Sequence, residues 1–166
     1  IFVFTRNYPD VRPGDLVKVS GQVDEFLPGA IEDRNLTLTQ LTDVSFQIMS
    51  HGNSLPDAVE IGGSGLFVPD FQIDNDGFSK FQPEEDGIDF YESLESMLVK
   101  INSGIVVGSK NYYNEVVILP EEKVDTNLVS SQGALVQQAL DPNPERIILN
   151  LNNENREKVN LGAGLA

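Results

Sequence analysis

The sequence predicts a mainly β, antiparallel protein made of small barrel-like units, with one or two short helices. Apolar and polar residues alternate in two long runs, Leu16–Phe26 and Leu36–Met49, and a period of two is what a half-buried strand requires. Gly21 interrupts the apolar row of the first run, and glycine inside a strand often marks a bulge or a sharp coil. Because a small closed barrel needs such a point to bend a strand around its corner, we predict that the two runs pair as a long hairpin.

Two short strands are predicted on either side of this hairpin, at Ile1–Phe4 and Ala58–Ile61. Ile1–Phe4 contains no charge and no proline, so it lacks the usual protection of an edge strand. We therefore predict that Ile1–Phe4 and Arg146–Leu151 each pair with a strand outside their own half of the chain. That strand would lie in the other half, in a neighbouring chain or in a missing part of a parent polypeptide.

The second half is predicted to contain short strands and one helix. Asp89–Met97 is the predicted helix, because Asp89 can cap it and Glu92 follows three positions later, as in a capping box. Ser130–Leu140 remains open between a second short helix and irregular structure. The predicted strands are Met97–Ile101, Ile105–Val107, Glu115–Leu119 and Arg146–Leu151.

Several stretches of the chain resemble a known family. "RPGDLVKVSGQVDEF", "LTLTQLTDVSF", "DFYESLESMLVKINSGIVVGSKNYYNEVVIL" and "NPERIILN" are similar to the OB-fold-like (YhcR-type) β-domains of large secreted bacterial nucleases of the endonuclease/exonuclease/phosphatase type. The resemblance covers most of the chain apart from its acidic middle. It implies an extracellular or cell-surface bacterial protein and a role beside a catalytic domain.

This resemblance implies three parts along the chain. Residues 1–61 correspond to the closing strands of one OB-like unit, and residues 89–166 to the opening strands of the next. Residues 62–88 form an acidic connector between them. The connector contains Gly-rich stretches and four phenylalanines, which are too many for a free linker: Phe67, Phe71, Phe78 and Phe81.

Composition limits the partners. The chain of 166 residues has 26 Asp and Glu against 11 Lys and Arg, a formal charge of −15, which opposes binding to a phosphate backbone. It has no cysteine, so disulfides and thiolate metal sites are excluded. No apolar run reaches the length of a membrane span. The chain begins with isoleucine, and we expect it to be a piece of a longer polypeptide.

The residue inventory predicts no catalytic site and no enzyme activity for the segment itself. A metal-dependent phosphoesterase needs histidines and carboxylates that converge on its metals, whereas the chain has one histidine, His51, in a Gly-Asn turn. Nucleophile elbows, phosphate-binding loops and zinc-protease motifs do not occur in the sequence. A parent protein can still be a nuclease or phosphoesterase.

Calcium is the single cofactor that the sequence suggests. Asp74-Asn75-Asp76-Gly77 has oxygen ligands at alternating positions before a glycine, as calcium loops do. With Asp74 as the first position, Glu85 is the twelfth, where such a loop places a bidentate Glu, and Asp70 lies upstream. The predicted ligands are Asp70, Asp74, Asp76 and Glu85. A plain acidic turn is the favoured alternative, since such motifs match by chance.

The best candidate for ligand contact is the loop before Glu115–Leu119. It contains Lys110, Tyr112 and Tyr113, and in an OB-like unit it would join the first two strands, where these barrels engage oligonucleotides or sugars. Two tyrosines beside a lysine can stack on the bases of single-stranded nucleic acid. The favoured alternative has one tyrosine packed on the barrel rim and the other exposed, because the surrounding charge is negative.

Three functional classes follow from these observations. The leading hypothesis is a noncatalytic OB-like β-domain segment of a secreted or cell-surface nuclease-like multidomain protein, which positions substrate or spaces the modules. The alternative is a structural cell-surface or filament-forming subunit that assembles by strand complementation through open strand edges. A hydrolase in its own right is opposed by the residue inventory.

Overall fold

The computed structural model describes residues 1–33, 35–121, 127–151, 162 and 164–165. It divides into two compact units. The first unit contains Ile1–Asp57 with Glu95–Leu98, and the second contains Ala58–Leu94 with Val99–Ala166. The predicted connector, residues 62–88, therefore lies inside the second unit.

Strands dominate the described residues, which confirms the predicted mainly β class. In chain order the elements are β1 (Phe2–Val3), β2 (Leu16–Phe26), a 3-10 helix (Ile31–Asp33), β3 (Leu38–Ser50), β4 (Val59–Glu60), α1 (Gly87–Ser93), β5 (Val99–Lys100), β6 (Gly104–Gly108), β7 (Glu115–Pro120), β8 (Ile147–Asn150) and β9 (Gly164–Leu165). Among these strands three open sheets form, with the orders β1-β3-β2, β4-β5 and β8-β7-β6-β9. Within the part of the chain that the structure describes, no helix has the length and apolar character that crossing a membrane requires.

The sheet of the first unit is built on the predicted long hairpin. β2 and β3 pair antiparallel from Leu16↔Ser50 to Phe26↔Leu38, so the alternation of the two runs predicted their pairing correctly. The register shifts between Ser20 and Gln22, where Gly21 alone lies opposite Asp43 and Val44. The extra residue of the bulge is therefore in β3, where Asp43 has a positive φ of 46°. A Cβ atom at Gly21 would lie 2.7 Å from the Thr42 carbonyl oxygen, so the close approach of β3 requires glycine here.

The first unit buries no apolar side chain among its described residues. Its one buried residue is polar: Gln40 is 6% exposed, and its Nε2 donates to Asp24 Oδ2 at 3.2 Å. The two faces of the sheet carry open apolar depressions of about 350 and 290 Å³. Phe2 and Phe4 line one depression and Val3 lines the other, as the alternation of β1 dictates. The side chains therefore alternate between the two faces as predicted, but the apolar side chains on these faces are not buried.

The second unit has its own hydrophobic core. Its largest sheet pairs β6, β7 and β8 antiparallel, and α1 contributes Phe90 to the residues buried beside it. The core consists of Ile61, Val68, Phe90, Val106, Val116, Ile118 and Ile147, with Tyr91, Leu94, Ile101, Leu149 and Leu151 packed against it. β7 alternates between half-buried and buried positions along Glu115–Ile118 before Leu119 and Pro120, which are both buried, as expected for a strand between two neighbours.

The helix differs from its prediction at both ends. α1 begins after Asp86, which occupies the cap position without a side-chain cap hydrogen bond. Asp89 is therefore not the cap; it lies inside the helix, and its Oδ2 accepts from the backbone N–H of Gln82 at 2.6 Å. The helix ends at Ser93, four residues before the predicted end, and Ser93 Oγ donates to the Phe90 carbonyl at 2.6 Å. A helical Ser130–Leu140 is also wrong, because this segment is irregular and forms the bridge Val129↔Leu135 at its start.

The two short terminal strands do not pair across the two halves of the chain, whereas their predicted pairing with a neighbouring chain or with a missing part of a parent polypeptide stays a prediction. β1 pairs parallel with β3, through Phe2↔Gln40 and Val3↔Leu41. β8 pairs antiparallel with β7. β3 lies in the same half of the chain as β1, and β7 lies in the same half as β8. Each of these longer strands offers unpaired backbone groups with which the short strand can form hydrogen bonds. The outer sides of β1 and β2 remain the edges of their sheet.

Candidate functional site

The acidic segment of residues 72–89 folds back on itself in the second unit. The backbone N–H groups of Gly87 and Ile88 donate to the carbonyls of Gln72 and Ile73 at 3.1 and 3.0 Å. Gln72 Nε2 also donates to Asp86 Oδ1 at 2.7 Å. These bonds hold the turn after Ile73 against the start of α1.

Two of the predicted calcium ligands organise this turn through their carboxylates. Asp74 accepts from the backbone N–H groups of Gly77 at 2.9 Å and Phe78 at 3.2 Å. Asp76 Oδ1 accepts from the backbone N–H of Ser79 at 2.8 Å. Burial opposes the ionisation of Asp76, but the hydrogen bonds from Ser79 and Lys80 outweigh it and lower its pKa. The turn is thus held in shape by charged acceptors on backbone donors.

Asp86 is the most deeply buried carboxyl group of this segment. It is fully buried, and burial raises its pKa, with the negative charges of Asp74 and Asp89 adding to the effect. Three buried side-chain oxygens of the segment have no hydrogen-bond partner: Asp76 Oδ2, Gln82 Oε1 and Asp86 Oδ2. A buried polar atom without a partner is uncommon in folded proteins and calls for an explanation.

The other two predicted calcium ligands lie in different surroundings. Glu85 is exposed, and its Oε2 accepts from Gln82 Nε2 at 2.6 Å. The charge of Asp70 raises the pKa of Glu145. Across the described ranges, no three or more His, Asp or Glu side chains are arranged as a ready metal site. Calcium binding by Asp70, Asp74, Asp76 and Glu85 stays a prediction.

A second buried carboxyl group was not predicted from the sequence. Glu145 is fully buried, its Oε2 has no hydrogen-bond partner, and Asn143 Nδ2 lies 3.4 Å from its Oε1. Burial raises its pKa, and the charges of Asp141 and Asp70 raise it further. The alternation Asp141-x-Asn143-x-Glu145 between prolines is the signal that could have identified this site.

The Tyr112–Tyr113 loop between β6 and β7 is a preformed aromatic surface. Asn111 Oδ1 accepts from the backbone N–H groups of Tyr113 and Glu115 at 2.9 and 3.0 Å. Tyr112 and Tyr113 are 93% and 70% exposed, and their rings meet edge to face with centroids 5.5 Å apart. The alternative in which one tyrosine packs on a rim is therefore wrong. Lys110, the third predicted residue, is exposed in the same loop.

His51 lies in the first unit, in an open cleft of about 510 Å³. Its Nδ1 is 2.7 Å from Asp15 Oδ1, a contact between residues far apart in sequence. The hydrogen bond with His51 lowers the pKa of Asp15, and a backbone hydrogen bond from Arg12 adds to this. The imidazole is oriented by this contact but is exposed to solvent. The cleft is lined by Asp10, Arg12, Pro13, Asp15, Ile48, His51 and Gly52. None of these residues has a hydroxyl or thiol group that could act as a nucleophile.

One family profile matches the chain. It is described as a domain of unknown function (DUF8508), and the match covers residues 49–166, which is well over half of the sequence and includes all of the second unit. No curated protein and no solved structure matches the chain.

Proposed function

The chain belongs to the family described as a domain of unknown function (DUF8508), and from this premise we propose that it is a noncatalytic OB-like β-module of a secreted or cell-surface, nuclease-like multidomain protein of bacteria. In this role it positions substrate or spaces the modules. The observation that carries the proposal is the sheet of the first unit, which buries no apolar side chain among the described residues.

A sheet of this kind needs a covering layer. Burial of apolar surface supplies most of the free energy of folding, at about 25 cal/mol per Å², and three strands with two uncovered faces gain little of it. Apolar side chains stand exposed along the hairpin, among them Val23 on β2, Phe26 at its end and Met49 on β3. Further β-strands of the parent polypeptide are the proposed cover, and they would complete the barrel whose closing strands this unit resembles.

The aromatic loop supports a part in positioning substrate. Two asparagines hold the loop in this conformation without a ligand. Asn111 accepts from the backbone of the loop, and the Asn150 side chain donates to the Tyr113 carbonyl at 3.2 Å. A preformed platform loses little entropy when bases stack on it. The formal charge of −15 works against this contact, so the proposed binding to single-stranded nucleic acid is weak and strongly dependent on salt.

We expect the chain to retard short single-stranded DNA in a gel at low salt, and we expect Y112A/Y113A to abolish the shift. Base–aromatic stacking is worth about 1–3 kcal/mol per base, which is enough to decide a weak complex. Tyr8→Ala is the matched control, since Tyr8 is also fully exposed but lies in the other unit. Equal shifts from all three proteins, or the absence of a shift from the wild-type chain, would contradict the proposed contact.

Strand complementation between copies is the second candidate function, and the sheet order favours it. β1 and β2 are both edge strands, and β1 lies beside exposed Ile1 and Phe4 without a charge of its own. Exposed, uncharged edges of this kind pair readily with other chains, and a head-to-tail contact would build an open filament.

Light scattering over a concentration series distinguishes the two candidates. If copies exchange strands, the apparent mass rises with concentration, and deletion of residues 1–5 removes the rise. Val3→Lys, which places a charge on the same edge, is expected to act like the deletion while leaving the chain length unchanged. If the chain is a folded monomer at every concentration and neither change affects it, strand complementation between copies is contradicted. That result would favour a module whose sheet is completed by strands of the parent polypeptide.

A further inference from the structure

The three buried oxygens without hydrogen-bond partners in residues 72–89 belong to two carboxylates and one amide. They are Asp76 Oδ2, Gln82 Oε1 and Asp86 Oδ2. All three residues lie in one folded part of this segment: the Asp86 N–H donates to the Gln82 carbonyl at 2.9 Å, and Asp76 is near enough for its negative charge to raise the pKa of Asp86. Each of the three has lost water without gaining a donor, which is unfavourable for the folded state unless another group satisfies it.

The electrostatic potential around Asp86 is negative. Asp74, Asp76 and Asp89 all raise the pKa of Asp86 by their charge. Gln72 donates one hydrogen bond to Asp86 Oδ1, and the positive charge of Lys80 acts on Asp76. Buried charges in proteins are paired or coordinate metals, and among the residues that the structure describes no hydrogen bond or ion pair joins Asp86 to a lysine, arginine or histidine.

We propose that this segment binds one calcium ion through Asp76 Oδ2, Gln82 Oε1 and Asp86 Oδ2, with Asp74 and Asp89 supplying further negative charge around it. Water molecules and main-chain carbonyls would complete the coordination. This site lies outside the proposed module function and does not depend on it.

Oxygen donors alone select a hard cation, and their kind favours calcium over magnesium. Calcium accepts six to eight oxygens, including amide and main-chain oxygens, in irregular arrangements, whereas magnesium demands near-ideal octahedral geometry. A site with two carboxylates and an amide oxygen therefore suits calcium.

The backbone of the turn is already arranged to present Asp76. Gly77 and Phe78 both adopt positive φ, +68° and +61°, and both donate their N–H to Asp74. A bound ion would tie this turn to the start of α1, whose Phe90 lies in the core of the second unit. This ligand set shares Asp76 with the set predicted from the sequence, and it replaces Glu85, which is exposed, by Asp86.

Calorimetry and thermal unfolding of the full 166-residue chain, first freed of metal by a chelator, test the site. Calcium chloride is added up to about 10 mM, since extracellular calcium modules bind with dissociation constants of about 0.1–1 mM. We expect heat of binding at one equivalent and a rise in melting temperature that magnesium chloride does not reproduce at the same concentration. Asp86→Asn is expected to weaken calcium binding by about ten-fold or more.

A purely structural role for Asp86 predicts a different pattern. Without calcium, Asp86→Asn should melt at or above the wild-type temperature because a buried charge is removed; with calcium, it should melt below the wild-type protein. Asp57→Asn, an exposed carboxylate in the first unit, removes the same charge and should leave calcium binding unchanged. If Asp86→Asn does not fold, calcium binding by Gln82→Met tests the site instead, since this substitution removes a proposed ligand that carries no charge. Unchanged melting of the wild-type protein in calcium, or undiminished binding by Gln82→Met, overturns the proposal.

Discussion

Replacing Phe90 by alanine is expected to lower the free energy of unfolding of the second unit by about 3–5 kcal/mol. The ring is 3% exposed, lies in the core with Val106, Val116 and Ile118, and meets Tyr91 edge to face with centroids 5.3 Å apart. Its removal costs the transfer free energy of the ring and leaves a cavity that α1 and the sheet can close only in part. Urea denaturation followed by circular dichroism measures the change.

Phe81→Ala is the matched control for this prediction. It removes the same ring in the same unit at a position that is 65% exposed, so the expected change is within about 0.5 kcal/mol. If both variants lose the same free energy of unfolding, the difference in burial between Phe90 and Phe81 in this structure would not account for their contributions to stability. The comparison matters for function, since the proposed calcium site and the aromatic loop both lie in this unit.

Glu145→Gln is expected to raise the free energy of unfolding at pH 7 by about 1–3 kcal/mol, because a buried charged group without a partner has a larger desolvation penalty than the neutral amide that replaces it. Gln has almost the same shape as Glu and keeps the oxygen that faces Asn143 Nδ2. It removes a charge that is fully buried and that Asp141 and Asp70 repel. Urea denaturation of both proteins at several pH values measures the difference.

The pH dependence of this difference has a definite sign. Burial raises the pKa of Glu145 in the folded protein above its ordinary value of 4.5, so the folded state holds the proton more tightly than the unfolded state. Its contribution to stability is therefore present below pH 4.5 and is lost as the pH rises toward the folded-state pKa. The gain from Glu145→Gln should be largest near pH 7 and vanish near pH 4.

Glu84→Gln controls for the change in net charge, because Glu84 is exposed. It should show no gain at either pH. A gain from Glu145→Gln that persists undiminished at pH 4 would contradict the assignment of a buried, ionisable carboxyl group at this position. A loss at pH 7 would show that an unseen cationic partner stabilises the charge.

Local patterns in the sequence were sufficient for most of the strands, although β9 (Gly164–Leu165) was not predicted. The period of two predicted the β2–β3 hairpin, because it depends on neighbours along the chain and on the pleat of a single strand. Gly21 marked the level of the bulge, but the extra residue lies opposite it in β3. The sequence predicted the position of the helix but not its ends, since Asp86 and Asp89 can both act as caps and the choice between them depends on where the backbone turns. The aromatic loop was identified, and only the structure showed that both of its rings are exposed.

The tertiary structure alone decided which polar groups are buried and which apolar faces are covered. Asp86 and Glu145 occur in acidic stretches that resemble any solvated surface, and their burial depends on how the rest of the second unit packs around them. The hydrogen bond from Gln72 to Asp86, for example, joins residues that lie 14 positions apart. The same holds for the first unit: the alternation of β2 and β3 predicted an apolar face, but whether another layer covers that face depends on atoms that no local pattern specifies. Desolvation acts through space, and for that reason the sequence determined the strands of this protein, while the structure determined its core and its candidate site.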